Sequence, residues 1–205
     1  MSIKIHIATP KSNGIVIEIS AVCIDSKYIL QYEELKKFKE LCKEGCPNYK
    51  MKWSCPPYSP YYHDISKKYD FLTVCILTVQ LDQFNYINKD YLKVKAANSI
   101  LKSRAEKMLR AKVFMNDKGI STGSCRMCKP CRCKRNEPCR HPDKAMYSFE
   151  ALGIHVSSMI EDLFDFKLQW YSKKQLPEYT SVVVGLLSKD KVDVNEIYSL
   201  FREME

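Results

Sequence analysis

No apolar run in this 205-residue sequence approaches a membrane span: the longest, about Phe71 to Val79, is far short of the ~20 residues required. The opening residues, Met1-Ser2-Ile3-Lys4-Ile5-His6, carry neither a long apolar core nor a small-residue cleavage site, so no secretory signal is expected. There is no glycine-rich phosphate loop, no dinucleotide fingerprint and no nucleophile elbow, which leaves nucleotide-driven and serine-hydrolase chemistry without a motif. The Cys-x3-Cys-x2-Cys spacing of radical S-adenosylmethionine chemistry is missing as well, because after Cys42 and Cys46 the next cysteine is nine positions on. Internal repeats and low-complexity segments are also lacking. These absences predict a cytoplasmic protein without a membrane partner.

What is present in excess is cysteine, with ten residues. A chain of this length, 45% hydrophobic and 28% charged, can bury a core without covalent staples, and one domain over residues 1–205 is expected. In a reducing compartment, clustered cysteines serve more often as metal ligands or redox groups than as disulfides. Cys42, Cys46 and Cys55 form one group, and Cys125, Cys128, Cys131, Cys133 and Cys139 a second. Cys23 and Cys75 stand alone. Cys75 lies inside an apolar run, so both read as core thiols.

The formal net charge is +9. It fits a solvated basic surface, attraction to an acidic partner, or compensation of metal-bound thiolates, which the formal count omits. Arg126, Lys129, Arg132, Lys134, Arg135 and Arg140 stand among the second group, where cations favour the thiolate form. Compensation is the preferred reading, and nucleic acid is not the expected partner.

Periodicity outlines an α/β fold: a mixed sheet with flanking helices. Gly14 to Val22 alternates as a strand does, and Phe71 to Leu81 is the continuous β-branched run of a strand buried on both faces. Helices are expected over Tyr32 to Glu44, with Leu35, Phe38 and Leu41 on one face, and over Asn88 to Val113, with Val94, Ala97, Leu101, Ala105 and Met108. Asp117 to Cys139 reads as irregular loop, and Pro142 to Leu163 as mostly helical with a break at Gly153. Phe166 to Tyr171 and Thr180 to Leu187 read as strands, with a turn at Pro177 between them. Asp193 and Glu196 predict a capping box for a last helix with Val194, Ile197, Tyr198 and Phe201 inward. Two cysteine-rich inserts, residues 42–62 and 119–142, are expected to converge on one edge of the sheet.

The second group opens Cys125-x2-Cys128-x2-Cys131, and three thiolates at that spacing can wrap one face of an iron–sulfur cubane while a remote cysteine closes the site. The ferredoxin pattern then requires a fourth cysteine after three residues and a proline next to it. Here the following cysteines come after one residue and after seven, and Arg140 follows Cys139. Four thiolates also make a closed zinc site, although zinc motifs come as two separated Cys-x2-Cys pairs. In the first group Cys42 falls in the last turn of its helix, Cys46 lies past the stop and Cys55 returns ahead of Pro56-Pro57. Three cysteines leave that site one ligand short, which leaves an iron open to a small-molecule substrate or calls on a further ligand. Cys133 is a candidate and His63 a weaker one. Tyr49, Trp53, Tyr58, Tyr61 and Tyr62 either shield this site or simply pack the loop. Lone histidines such as His141 and His155 are more often structural. Ser148 suits a helix cap and Glu150 a helix N-terminus.

In these motifs the sequence resembles the family of predicted metal-binding proteins catalogued as domain of unknown function 2284. The resemblance is carried by Cys42-x3-Cys46-Pro47 with Tyr49, by Ser54-Cys55-Pro56-Pro57-Tyr58 with Pro60, and by Gly123-Ser124-Cys125-Arg126-x-Cys128-Lys129-x-Cys131. Pro138-Cys139-Arg140-His141-Pro142 and Ser148-x-Glu150-Ala151-x-Gly153-Ile154 complete it. It implies Cys42, Cys46 and Cys55 as one ligand set and Cys125, Cys128, Cys131 and Cys139 as the other, and it leaves Cys133 out. The expectation is therefore a protein with two cysteine-ligated clusters, each [4Fe-4S], acting as an electron carrier with a redox protein partner or as a redox enzyme. The alternative is a zinc-stabilised module that binds RNA or an acidic protein.

Overall fold

The computed structural model describes residues 2–9, 12–113, 117–172 and 175–203. Among these residues, five strands form one sheet: β1 (Ser2–Thr9), β2 (Ser12–Asp25), β3 (Phe71–Gln80), β4 (Lys118–Ile120) and β5 (Tyr179–Ser188). Their spatial order is β1-β2-β3-β5-β4, and every pairing between them is antiparallel. The helices are α1 (Leu35–Gly45), α2 (Tyr62–Ser66), α3 (Asp90–Val113), α4 (Val156–Phe164) and α5 (Val194–Arg202). The expected α/β class is what forms, but the sheet is antiparallel throughout these strands rather than mixed. β1 is additional to the expected strands, and its signal is the alternation of Ile3, Ile5 and Ile7 with Lys4 and His6.

The sheet is covered on both faces because its central strands are apolar on both. In β3, Cys75, Leu77 and Val79 join one cluster with Leu101, Ala105 and Met108 of α3 and Ile197 and Phe201 of α5. Leu72, Val74 and Ile76 point the other way, toward Phe149, Leu152, Ile154 and, from α4, Met159 and Ile160. Gly185 in β5 permits that second packing. A methyl group there would sit 2.7 Å from the Phe149 ring and 3.1 Å from Leu72.

Several expected elements change under tertiary contacts. Residues 142–149 do not become helical. Tyr147 instead bridges to Ile120 beside β4, and the Ser121 amide donates to the Tyr147 carbonyl at 2.8 Å. A short 3-10 helix, Glu150–Leu152, stops where Gly153 turns the chain at φ +90°, the expected break, and α-helix begins at Val156. Phe166 to Tyr171 forms no strand. The Glu178 amide donates to the Gln169 side chain at 2.8 Å and the Tyr179 hydroxyl to the Lys167 carbonyl, and these side-chain bonds hold the segment as coil. Lys118–Ile120, expected as loop, pairs with β5. Asp193 does cap α5, accepting from the Asn195 amide at 2.9 Å, but Glu196 does not close the box, because Lys112 of α3 takes its carboxylate at 2.7 Å. On α1, Leu35 and Phe38 are half-buried, whereas Leu41 is exposed.

Candidate metal centre

The first cysteine loop is a chain of tight turns that starts where α1 stops. The Cys46 amide donates to the Cys42 carbonyl at 3.2 Å, the Tyr49 amide to Cys46 at 3.1 Å, and the Tyr58 amide to Cys55 at 3.0 Å. Lys50, in the left-handed region at φ +58°, donates its amide to the Pro56 carbonyl at 3.0 Å and closes the loop on itself. Cys42, Cys46 and Cys55 act on one another electrostatically. Burial, then the charge of Cys46, hold the Cys42 thiol above its ordinary pKa. Burial is also the main cause that pushes Cys55 up to about 11, with Cys46 and Cys42 adding to it, while the Ser54 hydroxyl and Lys52 act the other way. Cys42 and Cys46 are half-buried and Cys55 is buried.

Four hydrogen bonds join this loop to the second. Lys52 Nζ donates to the Cys125 carbonyl at 2.9 Å, and the Cys125 amide donates to Ser54 Oγ at 3.0 Å. Trp53 Nε1 donates to the Glu137 carbonyl at 2.9 Å, and the Cys133 thiol to the Lys50 carbonyl at 3.6 Å. Trp53 also packs edge-on against Tyr58, with ring centres 4.8 Å apart. Trp53 therefore ties the two loops together, with Tyr58 packed against it.

In the second loop, Cys125, Cys128, Cys131 and Cys139 are half-buried. Cys125 and Cys139 both act electrostatically on Lys118 and on the Tyr147 hydroxyl, so they share one neighbourhood beside β4. Burial lowers the Lys118 pKa, and the two thiols, with Asp143, oppose that. Cys133 is buried and its thiol is engaged by Lys50. Burial, then Cys131, raise its pKa. Among the described residues, no three Cys, His, Asp or Glu side chains form a group able to hold a single metal ion.

Arg126 pairs with Glu106 at 3.4 Å, and Arg132 and Arg135 with Glu137 at 3.4 and 3.0 Å, so three of the six expected cations already have carboxylate partners. Lys52 and Lys118 also act on the cysteines. Nothing in sequence marks these two lysines among 33 Lys and Arg residues. His63 is held by Glu33, with Nδ1 3.0 Å from Oε2, and His155 caps α4, accepting from the Ser158 amide at 3.2 Å. Ser148 accepts from the Ala151 amide at 3.2 Å and caps the Glu150–Leu152 turn. Cys75 is a core thiol, 1% exposed, and burial pushes its pKa up to about 12; Cys23 is half-buried.

By chemical type the thiol donors suit a soft metal or a cluster, although no three of them are gathered into a metal-holding group among the described residues. All ten thiols are free, and both groups lie beside a lysine that offsets thiolate charge. Among the described residues, no helix is long and apolar enough to cross a membrane. A family model described as "Predicted metal-binding protein (DUF2284)" matches residues 24–187. Comparison with curated proteins and with solved structures returned no match.

Proposed function

Because the chain belongs to the DUF2284 family of predicted metal-binding proteins, we propose that it is an iron–sulfur protein with two cysteine-ligated clusters. Cys125, Cys128, Cys131 and Cys139 hold one [4Fe-4S] cluster. Cys42, Cys46 and Cys55 hold the other, which they leave one protein ligand short. The observation that supports this reading most is Cys125-x2-Cys128-x2-Cys131 together with a separate trio, Cys42, Cys46 and Cys55, whose thiols act on one another electrostatically. Such clusters, when bound, supply one-electron transfer.

The residues of the chain do the rest. Lys52 and Lys118 offset thiolate charge. Trp53, Tyr58 and the cis-configured Pro56-Pro57 and Lys129-Pro130 segments frame the two loops. Cys133 ties the loops together through the Lys50 carbonyl, which favours a structural role over ligation. The second group serves as electron relay. The trio is a relay or a place for a small-molecule substrate, with a redox protein as partner in the cytoplasm.

Cys55→Ser and Cys128→Ser, purified without oxygen, test the assignment. Each is expected to lose about half of the iron and sulfide and to keep the other group's electron paramagnetic signal. Simultaneous loss of both signals in a variant that still melts cooperatively would contradict two separate sites.

A further inference from the structure

β4 pairs only with Gly185, Leu186 and Leu187, so the Tyr179–Val184 half of the β5 edge has no strand beside it among the described residues. A cavity of about 300 Å³ occupies that place. Its size falls at the lower end of small-ligand sites, which span ~300–1,000 Å³. Thr180, Ser181 and Val183 of β5 form one wall, Asn98 and Lys102 of α3 a second, and Glu150 with Phe149 a third. Trp170 and Tyr171 close it from the coil that replaces the expected strand, and Trp170 is 64% exposed.

Two opposite charges line this cavity without pairing. Lys102 and Glu150 are both half-buried and act on each other electrostatically, yet no hydrogen bond or ion pair engages either side chain among the described residues. The charged tips of both stay open to water in the cavity, and a ligand carrying both opposite charges exchanges that water for direct charge-assisted hydrogen bonds. A ligand with one charge would satisfy one group and strand the other. The two charges also reach toward the two cysteine groups: Glu150 acts on Cys42, and Lys102 feels Arg126, which follows Cys125.

The geometry points to a binding site for a small zwitterion of amino-acid type, its carboxylate on Lys102, its ammonium on Glu150 and its side chain against Phe149 and the Trp170–Tyr171 wall. This site stands on the cavity and its unpaired charges, independently of which metal the cysteines hold.

Calorimetric titration of the metal-loaded protein with each amino acid of uncharged side chain tests it. At least one, with L-phenylalanine the first choice, is expected to bind saturably. Phenethylamine and 3-phenylpropionate, which lack the carboxylate and the ammonium, should each bind about tenfold more weakly or worse. Lys102→Met should weaken L-phenylalanine but not phenethylamine, and Glu150→Gln should weaken L-phenylalanine but not 3-phenylpropionate. The analogue comparison needs no variant, so it stands even if a substitution unfolds the chain. Absence of saturable binding across the panel, or equal affinity for the zwitterion and both analogues, would overturn the proposal. Metal content is read separately, so failure here leaves the cluster assignment untouched, and the reverse also holds.

Discussion

Cys42 and Cys55 sit at the point where burial and thiolate chemistry oppose each other. Their pKa values are raised, so in the metal-free protein both carry protons at neutral pH, and ligation has to release them. Loading of the first site is therefore expected to liberate protons and to weaken as pH falls, measurable as acid release in weakly buffered solution. Loading with no proton release would mean that these thiols are not the ligands. A separate residue-scale device lies away from the cysteines. Asp162 of α4 accepts from the Tyr28 hydroxyl at 2.8 Å and from that of Tyr32. The Tyr32 bond, then the Tyr28 bond, lower the Asp162 pKa, whereas burial, then the bond to Asp162, raise that of Tyr32. The carboxylate's contribution to stability is thus present above the ordinary aspartate pKa of about 4 and is lost as pH falls through its lowered value. The tyrosine's contribution is present below about 10 and is lost as pH rises through its raised value. Asp162→Asn should lower the melting temperature at neutral pH and flatten its fall on the acid side. An unchanged acid limb would place the dependence elsewhere.

At the scale of elements, α1 is positioned by its close approach to Gly153. Gly153, at φ +90°, lets Leu35 press against its backbone, and a methyl group there would meet Leu35 Cδ2 at 2.4 Å. The Glu34 amide also donates to the Gly153 carbonyl at 2.8 Å. Gly153→Ala should cost ~1–3 kcal/mol through strain and overpacking. Because the last turn of α1 carries Cys42, metal at the first group should be lost before metal at the second, as seen by denaturant melts and by metal content after gel filtration. Equal loss from both groups would mean that α1 does not set the first site. The elements that sequence made legible are those with one dominant pattern: the doubly buried β3, the long apolar stripe of α3, and the stop of α1 at Cys46. Those it missed depend on partners far along the chain. Residues 142–149 lose their helix to a bridge with β4, and Gln169 and Lys167 spend their polar groups on Glu178 and Tyr179. The cysteine groupings were legible from spacing, but the four bonds between the loops were not, because Lys50, Lys52, Trp53 and Ser54 carry no local signature of a cross-loop contact.

Across the whole molecule, the sheet acts as a frame with its apolar faces sealed and its functional groups beside them. α3 and α5 cover one face, and α4 with the Phe149–Ile154 segment covers the other. The short β4 leads from the edge of the sheet into the second cysteine loop, and the first loop is bonded to it. The net charge of +9 fits a chain whose bound thiolates would cancel much of it. The measurement that tests the central claim most directly is the iron, zinc and acid-labile sulfide content of protein purified without oxygen. Two clusters predict about eight irons per chain, matching sulfide and a broad absorption band near ~400 nm. Zinc with no sulfide would contradict the iron–sulfur account and leave a zinc-stabilised binding module in its place.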